Sequence, residues 1–245
     1  MDAVNRRAAP TCAAPLALTV DLDDTLWPVQ PALERADRAV DAWLREHYPQ
    51  VAAAWPIPAM RALRARIAEE RQDLAHDFTT QRQLTMHQAF VASGIADAPL
   101  DTLWEIYFAE RNRVDLYADS LDALRRIARR VPLASLTNGN ADLQRIGLHP
   151  HFACHVCARD TGFAKPDPRI FLAAAGQLGV AAANILHVGD DPLLDVLGAR
   201  NAGMRTAWIN RRGEAWPTAL GPPPELEVRD LDALASWLEA IPDTS

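Results

Sequence analysis

Short apolar runs with the composition of β-strands alternate with helical segments after about residue 116, and one further run of this kind lies near the start of the chain. The predicted strands cover residues 16–20, 131–136, 152–158, 185–188, 205–209 and, more weakly, 226–228. Strands that alternate with helices pair in parallel, and helices then cover both faces of the sheet. The alternation therefore predicts an α/β fold with a parallel sheet.

A long helical segment interrupts this alternation directly after the first strand. In its first helix, Ala36, Val40, Trp43 and Leu44 recur at the spacing of one helix face, with charged residues on the other side. Proline-rich breaks separate this helix from three more. We therefore predict a discontinuous core domain, residues 1–27 and 116–245, and a helical cap domain, residues 28–115. Residues 1–14 are predicted to form a flexible tail.

Composition limits the partners of such a chain. Its 245 residues are 49% hydrophobic and 23% charged, as in ordinary soluble domains, and its formal net charge is −7. An acidic chain lacks the basic surface that binds nucleic acid or an anionic membrane. Three cysteines provide no disulfide framework and fit a reducing cytoplasm. We expect a cytoplasmic protein that binds a small molecule, as a monomer or small homo-oligomer.

Polar residues follow the predicted strands at the edge where parallel sheets bind ligands. The set comprises Asp21, Asp23 and Thr25 after the first strand, Thr137, Asn138 and Gly139 after the second, Lys165 after the third, and Asp190, Asp191 and Asp195 after the fourth. Two carboxylates about 4 Å apart repel by roughly 4 kcal/mol at an effective dielectric constant near 20, so such a cluster needs cations. Carboxylate oxygens favour Mg²⁺, and Lys165 adds a fixed charge. This combination suits phosphoryl transfer.

Four motifs in this order resemble those of the haloacid dehalogenase-like hydrolases. They are DLDDT at 21–25, the threonine of LTNGN at 137, the lysine of KPDP at 165, and VGDDPLLD at 188–195. The resemblance spans the predicted core and implies a Rossmann-like sheet with an inserted helical cap. The interval between Thr137 and Lys165 is too short to hold a second cap domain. A single cap after the first motif resembles subfamily I of these hydrolases.

The resemblance also implies a role for each motif residue. Asp21 would attack phosphorus and form an aspartyl-phosphate, and Asp23 would act as general acid and then as general base. Lys165 and Thr137 would stabilise the transferred group, with Asn138, Gly139 and Thr25 in contact with substrate. Mg²⁺ would be bound by Asp21, Asp190 and the backbone carbonyl of Asp23, with Asp191 or Asp195 behind these ligands. The dehalogenases of the superfamily are similar to this chain but have no aspartate at the position of Asp23. The presence of Asp23 therefore favours a phosphatase.

A narrower resemblance concerns the substrate. The segments VDLDDTLW, HDFTTQR, SLTNGNADLQRIGL and ILHVGDDPLLDV are similar to bacterial phosphatases of riboflavin biosynthesis. That group acts on 5-amino-6-(5-phospho-D-ribitylamino)uracil and on FMN, which are the substrates implied here. A sugar-phosphate phosphatase, a phosphomutase with the same motifs, a receiver-like signalling domain and a non-catalytic binding protein are the alternatives.

Other polar residues receive simpler interpretations. Cys154 and Cys157 have the spacing of a metal or redox pair, but on a strand they point to opposite faces, so we predict that they pack as small apolar residues. In the helical segment, four basic residues are predicted to lie on solvated helix faces instead of contacting substrate: His76, Arg82, Arg111 and Arg113. Trp27 is expected to line the cleft or to pack at the hinge.

Overall fold

A six-stranded parallel sheet forms the core of the computed structural model, which describes residues 13–242. The strands are β1 (Ala17–Val20), β2 (Leu133–Thr137), β3 (Cys154–Cys157), β4 (Ile185–Gly189), β5 (Arg205–Ile209) and β6 (Leu226–Val228). Their order across the sheet is β3-β2-β1-β4-β5-β6, and every neighbouring pair is parallel. The predicted α/β fold with a Rossmann-like parallel sheet is confirmed.

Strand β1 occupies the middle of the sheet and is buried along its whole length. Leu18 pairs with Leu133 on one side and with Leu186 on the other. Beyond the strand, the backbone N–H of Asp21 donates to the carbonyl oxygen of Val188 at 2.9 Å. The ladder therefore fixes Asp21 between the carboxyl ends of β2 and β4.

The helices follow the predicted sequence with several differences in extent. They are α1 (Val29–His47), α2 (Pro49–Ala54), α3 (Ile57–Glu70), α4 (Phe78–Ala92), α5 (Leu100–Arg111), α6 (Ser120–Ala128), α7 (Leu143–Ile146), α8 (Ala158–Thr161), α9 (Pro168–Leu178), α10 (Gly198–Asn201) and α11 (Leu231–Glu239). The segment between β1 and α6 holds five helices, not four, because Pro49 starts the short α2 at a position where proline is favourable. The helix predicted for 192–202 begins instead as a π-helical segment, Pro192–Leu197.

Helices cover both faces of the sheet. One face packs against α6 and α11 through a large apolar cluster that contains Leu18, Val188 and Leu234. The other face packs against α9 through a second cluster, which includes Phe171. Cys157 is buried and Cys154 is half-buried on β3, so the packing predicted for the two cysteines is complete only for Cys157.

Helices α1 to α5 form what we call the insert, residues 28–115. It has its own apolar cluster, built around Val40, Leu44, Phe90 and Tyr107. The two connections to the sheet lie side by side, because the backbone N–H of Tyr117 donates to the carbonyl oxygen of Leu26 at 3.0 Å. An apolar core of its own and two adjacent connections to the sheet are what we expect of an independent domain. We propose that residues 28–115 form such a domain.

Most of the tail predicted for residues 1–14 lies outside the described residues. At its end, the carbonyl oxygen of Ala13 accepts a hydrogen bond from Arg205 at 2.7 Å. Within residues 13–242, no helix is both long enough and apolar enough to cross a membrane.

The central position of β1 predicts a large difference between two neighbouring leucines. Leu18 is fully buried, so Leu18→Ala should lower the free energy of unfolding by about 2–5 kcal/mol through lost packing and a residual cavity. Leu16 is 55% exposed, and Leu16→Ala should change it by less than about 0.5 kcal/mol. Urea denaturation of both variants measures these values. Equal losses in the two variants would contradict the packing described here.

Candidate active site

The polar residues that follow the strands line one cavity, of about 400 Å³, between the carboxyl edge of the sheet and the insert. The structure brings nine of the ten predicted site residues to this cavity: Asp21, Asp23, Thr137, Asn138, Gly139, Lys165, Asp190, Asp191 and Asp195. Thr25 is the exception. It is fully buried beneath the cavity, where its hydroxyl lies 3.3 Å from Asp21 Oδ2 and 3.2 Å from Asp190 Oδ1. Its predicted contact with substrate is therefore replaced by contacts with two carboxylates.

Lys165 joins two carboxylates at the floor of the cavity. Its Nζ donates to Asp21 Oδ1 at 2.5 Å and to Asp195 Oδ1 at 2.6 Å, and all three side chains are buried. Burial alone lowers the pKa of Lys165, but the charges of Asp195 and Asp21 outweigh it, so the pKa of Lys165 is raised. Lys165 therefore stays positively charged beside Asp21.

Asp195 is held on all sides by groups of the core. Its Oδ1 also lies 3.1 Å from His187 Nε2, and its Oδ2 accepts the backbone N–H of Asp191 at 2.9 Å. Burial raises the pKa of Asp195, but Lys165 and His187 together hold that pKa below its ordinary value. The backbone passes so close that a Cβ at Gly189 would lie 2.2 Å from Asp195 Cγ, so only glycine fits there.

Asp191 has a different task from Asp195. Its Oδ1 accepts the backbone N–H groups of Leu193 and Leu194, both at 2.8 Å, and thereby caps the π-helical segment. Of the two residues predicted to stand behind the metal ligands, Asp195 is the one whose side chain contacts Lys165, the partner of the predicted nucleophile. Asp191 fixes the start of the following helix instead.

A group of carboxylates at the cavity has the arrangement expected of a divalent cation site. One oxygen from each of Asp21, Asp190 and Asp195 lies within 4.8 Å of the others. Burial, followed by the charges of Asp195 and Asp24, raises the pKa of Asp190 to about 7. A cation would relieve this excess of negative charge. These three carboxylates are the side chains that could hold a divalent cation here, and Asp195 is the most constrained of them, because Lys165, His187 and the Asp191 backbone already contact its two oxygens.

The turn after β2 forms a small polar cradle. The backbone N–H of Gly139 donates to Thr137 Oγ1 at 2.9 Å. Asn138 makes a reciprocal pair with Lys165: its Nδ2 donates to the Lys165 carbonyl oxygen at 3.0 Å, and its Oδ1 accepts the Lys165 N–H at 2.7 Å. The Asn138 side chain therefore positions Lys165, which leaves the backbone of this residue for the predicted substrate contact.

Asp23 faces the insert and not the carboxylate cluster. Arg111 Nη2 donates to Asp23 Oδ1 at 2.8 Å and to Oδ2 at 2.6 Å, and Trp27 Nε1 donates to Oδ1 at 2.9 Å. The predicted solvated position of Arg111 is wrong, because this residue is 1% exposed. A signal was present in the sequence, since Leu103, Tyr107 and Arg111 fall on one buried stripe of α5.

Three other predictions for this region have mixed outcomes. Arg113 is solvated as predicted and pairs with Glu110. His76 lies half-buried in the turn before α4, so it is not on a helix face, and it does not line the cavity. Trp27 is fully buried in the connection between β1 and the insert, and its contact with the site is the hydrogen bond that its indole N–H donates to Asp23.

Besides Arg111, two more arginines of the insert line the cavity. Arg82, predicted on a solvated face, lines it instead, with its guanidinium 3.7 Å from the centre of the Tyr107 ring and Nη1 3.0 Å from Asp37 Oδ1. Arg64 lines the cavity as well, although no motif in the sequence pointed to it. The insert therefore brings positive charge to the side of the cavity opposite the carboxylates.

Comparison with known proteins places this geometry in a family. A family model for haloacid dehalogenase-like hydrolases matches residues 16–203. The chain is 32% identical to the 5-amino-6-(5-phospho-D-ribitylamino)uracil phosphatase YigB of Escherichia coli, over 91% of this chain and 95% of that protein. It is 35% identical to a phosphoserine phosphatase of Thermus thermophilus, over 87% of this chain and 95% of that protein. Both relatives are phosphatases, in agreement with the predicted enzyme class.

A solved structure supports the same assignment. The crystal structure of a 2-haloacid dehalogenase from Pseudomonas syringae superposes with a TM-score of 0.84 at 34% sequence identity, and the match covers 91% of this chain and 97% of that one. Sequence and fold therefore agree over most of the molecule, and the chain belongs to the haloacid dehalogenase-like hydrolases.

Proposed function

We propose that this protein is a Mg²⁺-dependent phosphatase that hydrolyses the phosphomonoester of a small metabolite through an aspartyl-phosphate on Asp21. The observation that carries the proposal is the placement of Asp21 at the cavity floor. There Lys165 Nζ lies 2.5 Å from Asp21 Oδ1, and Asp190 is near enough to share a cation. A carboxylate held beside two positive charges can meet the negatively charged phosphoryl group without prohibitive repulsion.

The residues divide the reaction between them. The Asp21 carboxylate attacks phosphorus while the bond to the leaving oxygen breaks, and Asp23 gives its proton to that oxygen. Asp23 then takes a proton from the water that attacks phosphorus and releases Asp21. Mg²⁺ held by Asp21 and Asp190 would neutralise charge on the phosphoryl oxygens. Lys165, the Thr137 hydroxyl and the backbone N–H of Asn138 hold the remaining oxygens.

Asp23 favours phosphate chemistry over dehalogenation, although the similar solved structures include several dehalogenases. A halide ion is a stable anion and leaves carbon without a proton. An alkoxide is a strong base, so the leaving oxygen of an alkyl phosphate requires a general acid. In this structure Asp23 lies at the cavity and is held there by two donors, Arg111 and Trp27. A dehalogenase would have no need of that arrangement.

The part of the substrate beyond the phosphate would lie against the insert. The insert's side of the cavity presents Arg64, Phe78, Gln81, Arg82 and Tyr107. Arg82 is already paired with Asp37, whereas Arg64 has no such partner among residues 13–242. Guanidinium and aromatic groups suit a substrate that combines a polyol with an oxygen-rich heterocycle. We propose 5-amino-6-(5-phospho-D-ribitylamino)uracil or FMN as the substrate, a role in riboflavin biosynthesis and a cytoplasmic location.

Removal of the nucleophile tests the chemistry. Asp21→Asn keeps the shape of the side chain but removes the charge that attacks phosphorus, so kcat should fall by roughly a thousand-fold or more. Phosphate release under saturating substrate measures this loss. Asp167→Asn is a matched control, because Asp167 caps α9 outside the cavity and should leave kcat within a factor of about two to three. Full activity in Asp21→Asn would rule out the aspartyl-phosphate route.

Metal removal tests the cation. Treatment with EDTA should reduce phosphate release to the background rate, since Asp21 and Asp190 would then repel both each other and the phosphate. Added Mg²⁺ should restore the rate, and restoration should be weaker in Asp190→Asn. Activity that survives EDTA and dialysis would contradict a metal-dependent mechanism.

A substrate panel tests the proposed specificity. We expect the highest kcat/KM for the ribitylaminouracil phosphate or FMN, and an increase in KM for that substrate in Arg64→Met because a donor to its ring oxygens is lost. Phosphoserine, sugar phosphates and nucleotides complete the panel. A clear preference for one of these would reassign the substrate without changing the chemistry. A product in which the phosphoryl group returns to the sugar would identify a phosphomutase.

A further inference from the structure

We propose that Arg111 is a positioning residue, which holds Asp23 where it can protonate the leaving oxygen and so makes the insert a required part of the acid–base machinery. This inference rests on the proposed phosphatase function. It assigns a role to a buried cation that the reaction as described above does not use. Arg111 comes from the last turn of α5 in the insert, and Asp23 follows the central strand of the core.

The contact fixes the Asp23 side chain from two directions. Arg111 Nη2 reaches both carboxylate oxygens, at 2.8 and 2.6 Å, while the Trp27 indole N–H donates to Oδ1 at 2.9 Å. The Asp23 side chain is 22% exposed and the Arg111 side chain only 2%. These two donors thus set the rotation of a carboxylate that also lines the cavity.

Asp23 Oδ2 is directed to the phosphate cradle. A Cβ placed at Gly139 would lie 2.5 Å from Asp23 Oδ2, and 3.3 Å from both Arg111 Nη2 and Thr137 Oγ1. The oxygen that would carry the transferred proton therefore borders the turn after β2, where the phosphoryl group is proposed to bind. Without Arg111, Asp23 could rotate out of this position.

The burial of Arg111 is difficult to explain by stability. Its Nη1 is buried and meets no acceptor in the described part of the chain, and a buried donor without an acceptor costs free energy. The same stripe of α5 carries the buried residues Leu103 and Tyr107, so an apolar side chain at position 111 would continue it without that cost. The contact with Asp23 accounts for the arginine.

The inference predicts a dependence on the leaving group. A p-nitrophenolate leaves almost without protonation, whereas an alkoxide needs the Asp23 proton as the P–O bond breaks. The value of kcat/KM covers the steps up to release of this group, and therefore excludes the later hydrolysis of the aspartyl-phosphate. A misplaced general acid should lower kcat/KM for an alkyl phosphate much more than for p-nitrophenyl phosphate. A loss of folding or of phosphate binding would lower both alike.

The experiment compares four variants on p-nitrophenyl phosphate and on FMN, an alkyl phosphate. In Arg111→Met, kcat/KM should fall roughly a hundred-fold on FMN and less than about tenfold on p-nitrophenyl phosphate. Arg111→Lys should recover part of the loss on FMN because one donor returns. Asp23→Asn provides the reference pattern for a missing acid. Arg113→Met removes a neighbouring arginine that is 70% exposed, and should behave as the wild type.

The outcomes separate this inference from the proposed function. An equal loss on both substrates, or no loss, in an Arg111→Met protein with an unchanged thermal unfolding curve would overturn the role of Arg111 alone. If Arg111→Met does not fold, the ratio of the two kcat/KM values in Arg111→Lys decides the same question. A wild-type protein that releases phosphate with Mg²⁺ neither from p-nitrophenyl phosphate nor from any member of the substrate panel would overturn the phosphatase proposal, and this inference with it. If the panel identifies an alkyl phosphate other than FMN as the substrate, that compound replaces FMN in the comparison.

Discussion

The buried contact of Lys165 with Asp21 and Asp195 is the constraint on which the rest of the site depends. Three charged groups lie together at the end of a parallel sheet, almost out of reach of water, and their burial is tolerable only because the lysine contacts both acids at 2.5 and 2.6 Å. The surrounding structure maintains this geometry. The Asn138 side chain makes hydrogen bonds to the Lys165 backbone, and His187 contacts Asp195. The backbone hydrogen bonds at the end of β1 fix the position of Asp21.

Lys165 balances only part of the negative charge of the carboxylates at the cavity. The carboxylates that it does not contact, Asp190 and Asp23, show what the core and the insert each contribute to the site. Burial and the charges of Asp195 and Asp24 raise the pKa of Asp190 to about 7, and a divalent metal would offset this negative charge. Asp23 receives its cation from the insert in the form of Arg111. The core therefore supplies the carboxylates, and the insert supplies arginines that face them. An active site of this kind is complete only when both parts are in contact.

The sequence was sufficient to predict the sheet and the residues around its carboxyl edge, because parallel strands convert neighbours along the chain into neighbours in space. Asp21, Thr137, Lys165 and Asp190 could be found in this way. Contacts of the insert could not, since the partner of Arg111 is distant along the chain and helix periodicity shows only that this position is buried. The sequence also did not predict the π-helical segment Pro192–Leu197, because residues 192–202 have the pattern of an ordinary α-helix.

The similarity to a dehalogenase raises the question of which part of the site would decide between the two reactions. A carboxylate nucleophile beside a buried lysine serves attack on carbon as well as on phosphorus, so Asp21 and Lys165 do not distinguish the two reactions. The distinction depends on the leaving group, and hence on a proton donor that a halide does not require. In the proposed mechanism Asp23 is that donor, and it can act only if it is held at the cavity. Since Arg111 and Trp27 contact it there, the proposed preference for phosphate esters depends on the contact between core and insert as much as on the motif itself.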